Sequence, residues 1–204
     1  MPNREDIQLL LKGRESWDRR REQQKTEWIP DLSQADVTTL LEEAGRVTSD
    51  GKFDLRGYDL STADFSGAIL NQVDLSEASL SYSYFAEARL DQANLTDAVC
   101  QWTRFDGAQL HASKLINADL ENARLANAML READLTDAYC HMTDFRNADL
   151  TNGKLRRAQL ISAILIGANF SGCELWRAII LSKPEPMWQH REVSGIENIR
   201  VESV

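Results

Sequence analysis

The sequence offers few residues that could carry out acid–base, nucleophilic or metal chemistry. Its 204 residues include three histidines and three cysteines. Asp91 precedes His111 by twenty residues and Arg131 follows it by twenty, so a chain that repeats every twenty residues would align the three side chains in an exposed ladder. An imidazole next to a carboxylate can act as a general base. Because no metal-ligand spacing or predicted pocket accompanies His111, we favour a solvated ladder of charges.

Sequence motifs for catalysis are also missing. The sequence has no phosphate-binding glycine loop, no Cys-x-x-Cys pair and no nucleophile elbow. Five glycines instead recur at spacings that are multiples of five, where turns need them: Gly57, Gly67, Gly107, Gly167 and Gly172. An enzyme needs titratable groups that converge on one pocket. We therefore predict a protein without enzymatic activity, cofactor or metal.

The element that must position every side chain is a repeat of five residues. From Leu55 to Leu175 every fifth residue is Leu, Phe or Cys, and a small residue, usually Ala, lies two positions before it. On an α-helix, steps of five would scatter the large residues around all faces. In a flat strand they would alternate between the two faces. The chain must turn once per unit, with the small and large residues pointing inward, and this predicts an all-β solenoid.

A second spacing predicts how many units make one coil. Phe65, Phe85 and Phe105 are twenty residues apart, and an unbroken series of leucines recurs every twenty residues from Leu55 to Leu175. Four sides per coil explain both spacings. Coils stacked at the parallel-strand distance of about 4.8 Å would bring the Phe rings into contact.

The cysteines fit the same solenoid as core residues. Cys100 and Cys140 would point inward two coils apart, at roughly 9 to 10 Å, which is too far for a disulfide. Cys173 falls on a small inward position. We expect three thiols that fill the core.

The repeating units carry a family resemblance. Five of them show the pattern Ala, Asp or Asn, Leu or Phe, Ser or Thr, and then Asp, Asn or Gly: residues 63–67, 93–97, 133–137, 148–152 and 168–172. They resemble the pentapeptide repeat family, and the resemblance covers well over half of the chain. It implies a right-handed quadrilateral parallel β-helix, in agreement with the usual right-handed crossover between parallel strands. The resemblance also brings two functional expectations, since members often dimerise at one end and some bind DNA gyrase as acidic stand-ins for duplex DNA.

The chain outside the repeat divides into two flanking segments. Residues 1–50 predict an α-helical N-terminal cap over the open edge of the first coil. Within them we expect one helix over residues 4–26, two repeat-like units at 30–37 and a short helix that Asp36 caps and Gly45 ends. Residues 51–180 form the predicted β-helix. Residues 181–204 are too apolar for a disordered tail, and three uses stay open: a C-terminal cap, a dimerisation segment that makes a homodimer, or a linker.

Composition and charge restrict the classes of partner. The chain is 43% hydrophobic and has no apolar run long enough to span a membrane. Its N-terminus lacks the features of a signal peptide, so we expect a cytoplasmic protein with no membrane partner. The net charge of −9 argues against direct binding of nucleic acid. Residues 51–99 contain eight acidic and three basic side chains, whereas residues 100–180 contain nine of each.

One group of outward positions departs from the polar composition of the rest. Tyr82, Trp102 and Met142 share a column at spacings of twenty and forty residues. The candidate binding residues are these three and their neighbours: Tyr82, Tyr84, Trp102, Arg104, Tyr139, His141 and Met142. Exposed aromatic residues, Met and Arg are typical of protein interfaces. Two interpretations stay open, namely a partner-binding surface or a surface that the chain's own N-terminal helix or tail covers.

The sequence therefore predicts a non-enzymatic scaffold that presents a rigid surface to an unidentified protein partner. A second hypothesis is a DNA-mimicking inhibitor of DNA gyrase of the quinolone-resistance type, which the acidic first half favours. An uninterrupted repeat, a near-neutral second half and a helical N-terminal extension depart from that type. A third hypothesis is a regulatory or targeting module of a longer protein.

Overall fold

The computed structural model of the protein describes residues 1–24, 28–47 and 53–180. Three helices and two short strands lie in these ranges: α1 (Arg4–Lys12), α2 (Arg14–Gln23), α3 (Val37–Glu43), β1 (Phe53–Asp54) and β2 (Val73–Asp74). Strands β1 and β2 pair in parallel. The predicted boundary between residues 50 and 51 and the predicted C-terminal segment 181–204 both lie outside the described residues.

The repeat forms a parallel solenoid whose coils contain twenty residues. In each unit, the residue before the large inward one bridges to the residue twenty positions later, as in Asp59 to Ser79, Tyr84 to Arg104 and Lys114 to Asp134. Four five-residue units therefore make one coil, which confirms the interpretation of the sequence spacings. The structure has few regular strands because each side contributes one bridging residue before the chain turns, so the sides are isolated bridges and only β1 and β2 are longer.

The corners follow a rule that the sequence motif encodes. In the unit 93–97, the outward Asn94 accepts a hydrogen bond through Oδ1 from the Thr96 N–H at 3.2 Å and from the Thr96 hydroxyl at 2.7 Å. The Ala98 N–H then donates to the Leu95 carbonyl at 3.1 Å and closes the turn. In units that carry them, Asp or Asn before the large residue and Ser or Thr after it therefore hold the corner.

The core of the described solenoid is a continuous stack of buried side chains. Phe65 and Phe85 stack at 4.8 Å between ring centroids, and Phe85 and Phe105 stack at 5.1 Å. Ser and Thr replace Ala at some small inward positions, where Thr103 donates its hydroxyl proton to the Leu80 carbonyl at 2.7 Å. Every coil thus repeats the same inward contacts, which is why the sequence keeps its register.

The N-terminal helices differ from the sequence prediction in one respect. A single helix over residues 4–26 is wrong, because Gly13, at a φ of 101°, separates α1 from α2 and α2 ends at Gln23. The third helix is confirmed: the Asp36 carboxylate accepts from the Thr39 N–H at 3.0 Å, and Gly45 follows the helix with a φ of 65°.

Residues 30–37 continue the solenoid below its first coil. Asp31 bridges to Asp64 and Asp36 bridges to Ile69, both in parallel. Leu32 and Val37 are fully buried, as the large inward residues of the repeat are. The two predicted repeat-like units are therefore two sides of a partial coil.

The partial coil formed by residues 30–37 has two sides, and side chains of α2 occupy the position of a third. In each later coil, backbone N–H groups bond to the carbonyls of the coil above, as the Leu60 N–H does to the Ser79 carbonyl at 2.8 Å. At the first coil, Trp17 Nε1 donates to the Asp59 carbonyl at 2.6 Å, and Arg21 Nε donates to the same carbonyl at 3.1 Å. These two side chains supply donors where the chain has no earlier strand.

Candidate protein-binding surface

Three large exposed side chains lie on one corner of the solenoid. Tyr82, Trp102 and Met142 occupy the second position of their turns, with φ values of 62°, 59° and 53°. Their exposed fractions are 57%, 52% and 50%. The repeat of twenty residues aligns them in one column, as the sequence spacing predicts, although they lie at a corner and not along a flat side.

The aromatic members of this column stack on each other. The rings of Tyr82 and Trp102 are 6.2 Å apart between centroids, with an angle of 4° between their planes. The next corner residue in the column is Asn122, and Met142 follows it. The short Asn122 side chain leaves a slot between Trp102 and Met142, two coils or about 10 Å apart along the solenoid.

The flat side after this corner carries arginines. Arg104 lies over the ring of Tyr84, with 5.2 Å between the guanidinium carbon and the ring centroid. Arg124, one coil later, bonds to Asp106 at 3.1 Å. The pKa of the Asp144 carboxyl, in the next coil, lies below its usual value because burial, which raises the pKa, is outweighed by hydrogen bonds from Arg146 and its charge.

Together these side chains line a depression of about 410 Å³, which we call the corner surface. Its lining residues are Tyr82, Tyr84, Trp102, Arg104, Asn122, Ala123, Arg124, Met142 and Asp144. Five of the seven residues predicted from the sequence are in this set. The polar lining residues were not predicted because their types do not differ from those of the ordinary surface, although the spacing of twenty from Trp102 and Arg104 leads to Asn122 and Arg124.

Two predicted residues lie outside the depression. Tyr139 is on the flat side before the corner, where it bridges to Asp119 and Gln159. His141 occupies the first position of its turn, next to Met142. The structure places both near the corner surface but around its edge.

The described N-terminal helices do not cover the corner surface. Helix α2 bonds through Trp17 and Arg21 to Asp59 and Ser61, at the N-terminal end of the solenoid. The exposed fractions of Tyr82, Trp102 and Met142 agree with this position. The C-terminal tail, the other predicted cover, lies outside the described residues.

The residues considered for chemistry have structural roles. Asp91, His111 and Arg131 occupy the first position of successive turns in one column: the backbone N–H of His111 donates to Asp91 Oδ1 at 3.1 Å, and Arg131 pairs with Asp149 at 3.1 Å. Cys100, Cys140 and Cys173 are free thiols. Burial raises the pKa of Cys140 to about 12, so its thiol stays protonated at neutral pH. Within the described residues no cluster of His, Cys, Asp and Glu could hold a metal ion, and no helix could cross a membrane.

Known proteins with similar sequences contain the same repeat of five residues. A family model described as pentapeptide repeats matches in eight copies over residues 53–177. A pentapeptide repeat protein of the Arabidopsis thaliana thylakoid lumen is 28% identical, with 59% of this chain and 70% of that chain covered and a TM-score of 0.44. HetL, a pentapeptide repeat protein involved in heterocyst differentiation regulation in Nostoc, is 26% identical, with 68% and 64% covered and a TM-score of 0.31.

A fluoroquinolone-resistance protein is a third similar structure. The plasmid-mediated QnrB1 is 18% identical, with 70% of this chain and 74% of that chain covered and a TM-score of 0.49. No curated protein matches the sequence.

Proposed function

Because the chain belongs to the pentapeptide repeat family, we propose that it is a non-enzymatic binding protein that presents its corner surface to a protein partner. The observation that carries this proposal is the exposed column of Tyr82, Trp102 and Met142. A contiguous apolar patch with arginine at its edge has the composition of an interface. The proposed site consists of the five predicted residues in the depression, with Tyr139 and His141 at its rim.

The side chains of the column differ from those at the same turn position on other corners, and this difference supports the proposal. A left-handed conformation costs a non-glycine residue about 1 to 2 kcal/mol. Other described corners fill this turn position with Gly or Asn, as at Gly107 and Asn127, or with polar side chains such as Gln92 and Glu132. Large apolar side chains at three exposed turn positions add little core packing, and a binding role accounts for them.

The rigidity of the solenoid also suits a binding role. Each coil is bonded to the next through its backbone, so the side chains of the corner surface are held in register before a partner arrives. A preformed surface loses little conformational entropy on binding. No loop has to fold for the corner surface to exist.

Two finer features of the fold belong to the same proposal. Pentapeptide repeat proteins are right-handed quadrilateral β-helices, and we infer the same hand for residues 53–180. We also infer that residues 1–47 act as a cap. This inference is supported by the bonds of Trp17, Arg21 and residues 30–37 to the first coil, which would otherwise expose an unpaired edge.

Affinity capture with matched variants tests the proposed function. Wild-type protein, Trp102→Asn and Asn117→Trp are immobilised in parallel, since Asn117 occupies the corresponding turn position on another corner, with a φ of 55°. We expect wild type and Asn117→Trp to capture the same protein from lysate of the source organism, and Trp102→Asn to lose it. The captured protein, once purified, should bind wild type directly in solution. If Trp102→Asn captured the same protein as wild type, the corner surface would not be the binding site.

Inhibition of DNA gyrase is the alternative function, and we rank it second. The acidic first half favours it, since eight acidic side chains lie between residues 51 and 99, against three basic ones. Residues 100–180, with nine side chains of each sign, do not continue this charge.

A further inference from the structure

Unlike two arginines near it, Arg104 has no carboxylate partner among the described residues. Arg124 pairs with Asp106, and Arg146 pairs with Asp144. The guanidinium of Arg104 contacts the Tyr84 ring and makes no ion pair or side-chain hydrogen bond with any residue in the described ranges. A guanidinium held over an aromatic ring keeps its N–H edge available, and that edge matches a carboxylate in a bidentate pair.

An apolar slot lies beside this arginine. Trp102 and Met142 form its two walls along the corner, and Asn122 and Ala123 lie between them. The walls are two coil spacings apart, about 10 Å, which leaves a gap wide enough for one aliphatic or aromatic side chain. Trp102 is two residues before Arg104, so the slot and the guanidinium border the same depression.

The charges around the depression select a single carboxylate over a polyanion. Asp106 and Asp144 lie next to Arg124 and Arg146, Glu121 precedes Asn122 in the turn of the same corner, and Glu87 lies at the next corner. A nucleic acid strand brings one phosphate every 3.4 Å and would meet these carboxylates along its length. One carboxylate placed on Arg104 avoids them. A planar, unpaired cation beside an apolar slot thus fits an acidic side chain next to an apolar one.

We propose that the partner binds through a peptide segment in which an Asp or Glu side chain pairs with Arg104 and an adjacent apolar side chain enters the slot between Trp102 and Met142. This inference rests on the proposed function and names the chemistry of its ligand. The carboxylate fixes the orientation of the segment, and burial of the apolar side chain supplies most of the affinity.

Selection from a phage-displayed library of random peptides tests this inference. The library carries no free C-terminal carboxylate, so any carboxylate must come from Asp or Glu. We expect wild-type protein to enrich peptides with an acidic residue next to a Leu, Ile, Phe or Met. Enrichment of basic or uncharged peptides would overturn the inference.

Affinities of a synthetic enriched peptide then separate the parts of the site. We expect Arg104→Gln to weaken binding about tenfold or more and Arg104→Lys to weaken it less, because lysine keeps the charge but loses the planar pair. Asn122→Tyr should fill the slot and weaken binding about tenfold or more, while Asn117→Tyr, at the same turn position on another corner, should leave it unchanged. Circular dichroism and unfolding curves check that each variant folds.

The outcomes distinguish the inference from the proposed function. Peptides that bind wild type, lose affinity for Trp102→Asn and ignore Arg104→Gln overturn the carboxylate pairing and leave the protein-binding surface standing. If no peptide is enriched, both the inference and the proposed function are overturned. The same holds if the enriched peptides bind Trp102→Asn with the affinity that they have for wild type. Single-stranded oligonucleotides that bind wild type in an Arg104-dependent way also overturn the inference.

Discussion

Trp102 occupies a backbone conformation that suits asparagine or glycine better than a large aromatic residue. Its φ is 59°, and Asn122, one coil later in the same column, has a φ of 56°. Asparagine tolerates this region because its short amide can bond locally. Trp102 gains a stacking contact with Tyr82 in return, and aromatic pairs contribute about 0.5 to 1.5 kcal/mol. The cost of the left-handed backbone conformation and the gain from the ring stack are therefore of similar size and opposite sign.

Replacement of Trp102 by asparagine should therefore separate binding from stability. We expect the free energy of unfolding of Trp102→Asn to stay within about 1 kcal/mol of the wild-type value, because relief of the corner offsets loss of the stack. Partner binding should be lost. Urea denaturation measures the first effect, with Phe105→Ala as a control that removes a buried stacking ring and should cost about 3 to 5 kcal/mol. A similar cost for both variants would show that Trp102 is a packing residue.

Asp144 couples the corner surface to pH. Its folded-state pKa is lowered, so its contribution to stability is present above the unfolded pKa of about 3.9 and is lost as the pH falls through the folded value. Asp144→Asn should lower the free energy of unfolding at pH 7 by up to about 1 kcal/mol, because Arg146 is half exposed and screened by solvent. Below about pH 4 the difference between the variant and wild type should shrink.

Urea midpoints at several pH values measure this effect. Glu132→Gln is the control for net charge, since Glu132 is exposed at another corner. If the deficit of Asp144→Asn were the same at pH 7 and at pH 3, the pair with Arg146 would not be its source.

At the scale of elements, helix α2 replaces a missing side of the solenoid with two side chains. Arg21 is 8% exposed and donates to the carbonyls of Asp59, Ser61 and Trp28. Its guanidinium also lies 5.0 Å from the centroid of the Trp28 ring. A single residue thus joins the helix, the chain before residue 30 and the first coil.

Loss of the Arg21 guanidinium should open the N-terminal edge of the solenoid. We expect Arg21→Met, which keeps a long apolar side chain, to lower the free energy of unfolding by about 3 kcal/mol, because buried carbonyls lose charged donors. Arg19→Met, two residues away on the exposed face of the same helix, should change it by less than about 0.5 kcal/mol. Hydrogen exchange would locate the effect, with faster exchange expected in residues 53–70. Equal effects of the two variants would contradict a specific role for Arg21.

The sequence was sufficient to predict the coil. It predicted the helices and the site only in part. The period of five and the spacing of twenty follow from inward residues such as Leu75 and Phe85, because every coil buries them in the same way. The break at Gly13 was not predictable from apolar spacing, since Leu10 and Trp17 keep one helical phase across it. The shape of the depression was not predicted for a related reason. The spacing of twenty shows which residues align along the solenoid, but it does not show where a coil turns a corner, as the chain does between Tyr139 and Met142.

At the scale of the whole molecule, charge is distributed unevenly along the solenoid. The first coils carry an excess of acidic side chains, whereas the second half has as many basic as acidic ones. Ion pairs between adjacent coils neutralise carboxylates there, as in Arg157 with Asp137 and Lys154 with Asp134. Duplex DNA, by contrast, carries one negative charge for every 1.7 Å of its axis without interruption.

This distribution predicts that the protein does not act as a full-length mimic of duplex DNA. We expect purified protein to leave the supercoiling activity of DNA gyrase unchanged at equimolar concentration, because a surface that imitates DNA over only its first coils competes weakly with a continuous polyanion. A gel-based supercoiling assay measures this, with Arg157→Glu and Lys154→Glu extending the acidic surface into the second half as a comparison. The opposite result would be inhibition by wild type and by Trp102→Asn, with weaker inhibition by Asp97→Lys. That result would favour DNA mimicry and assign the function to the acidic coils.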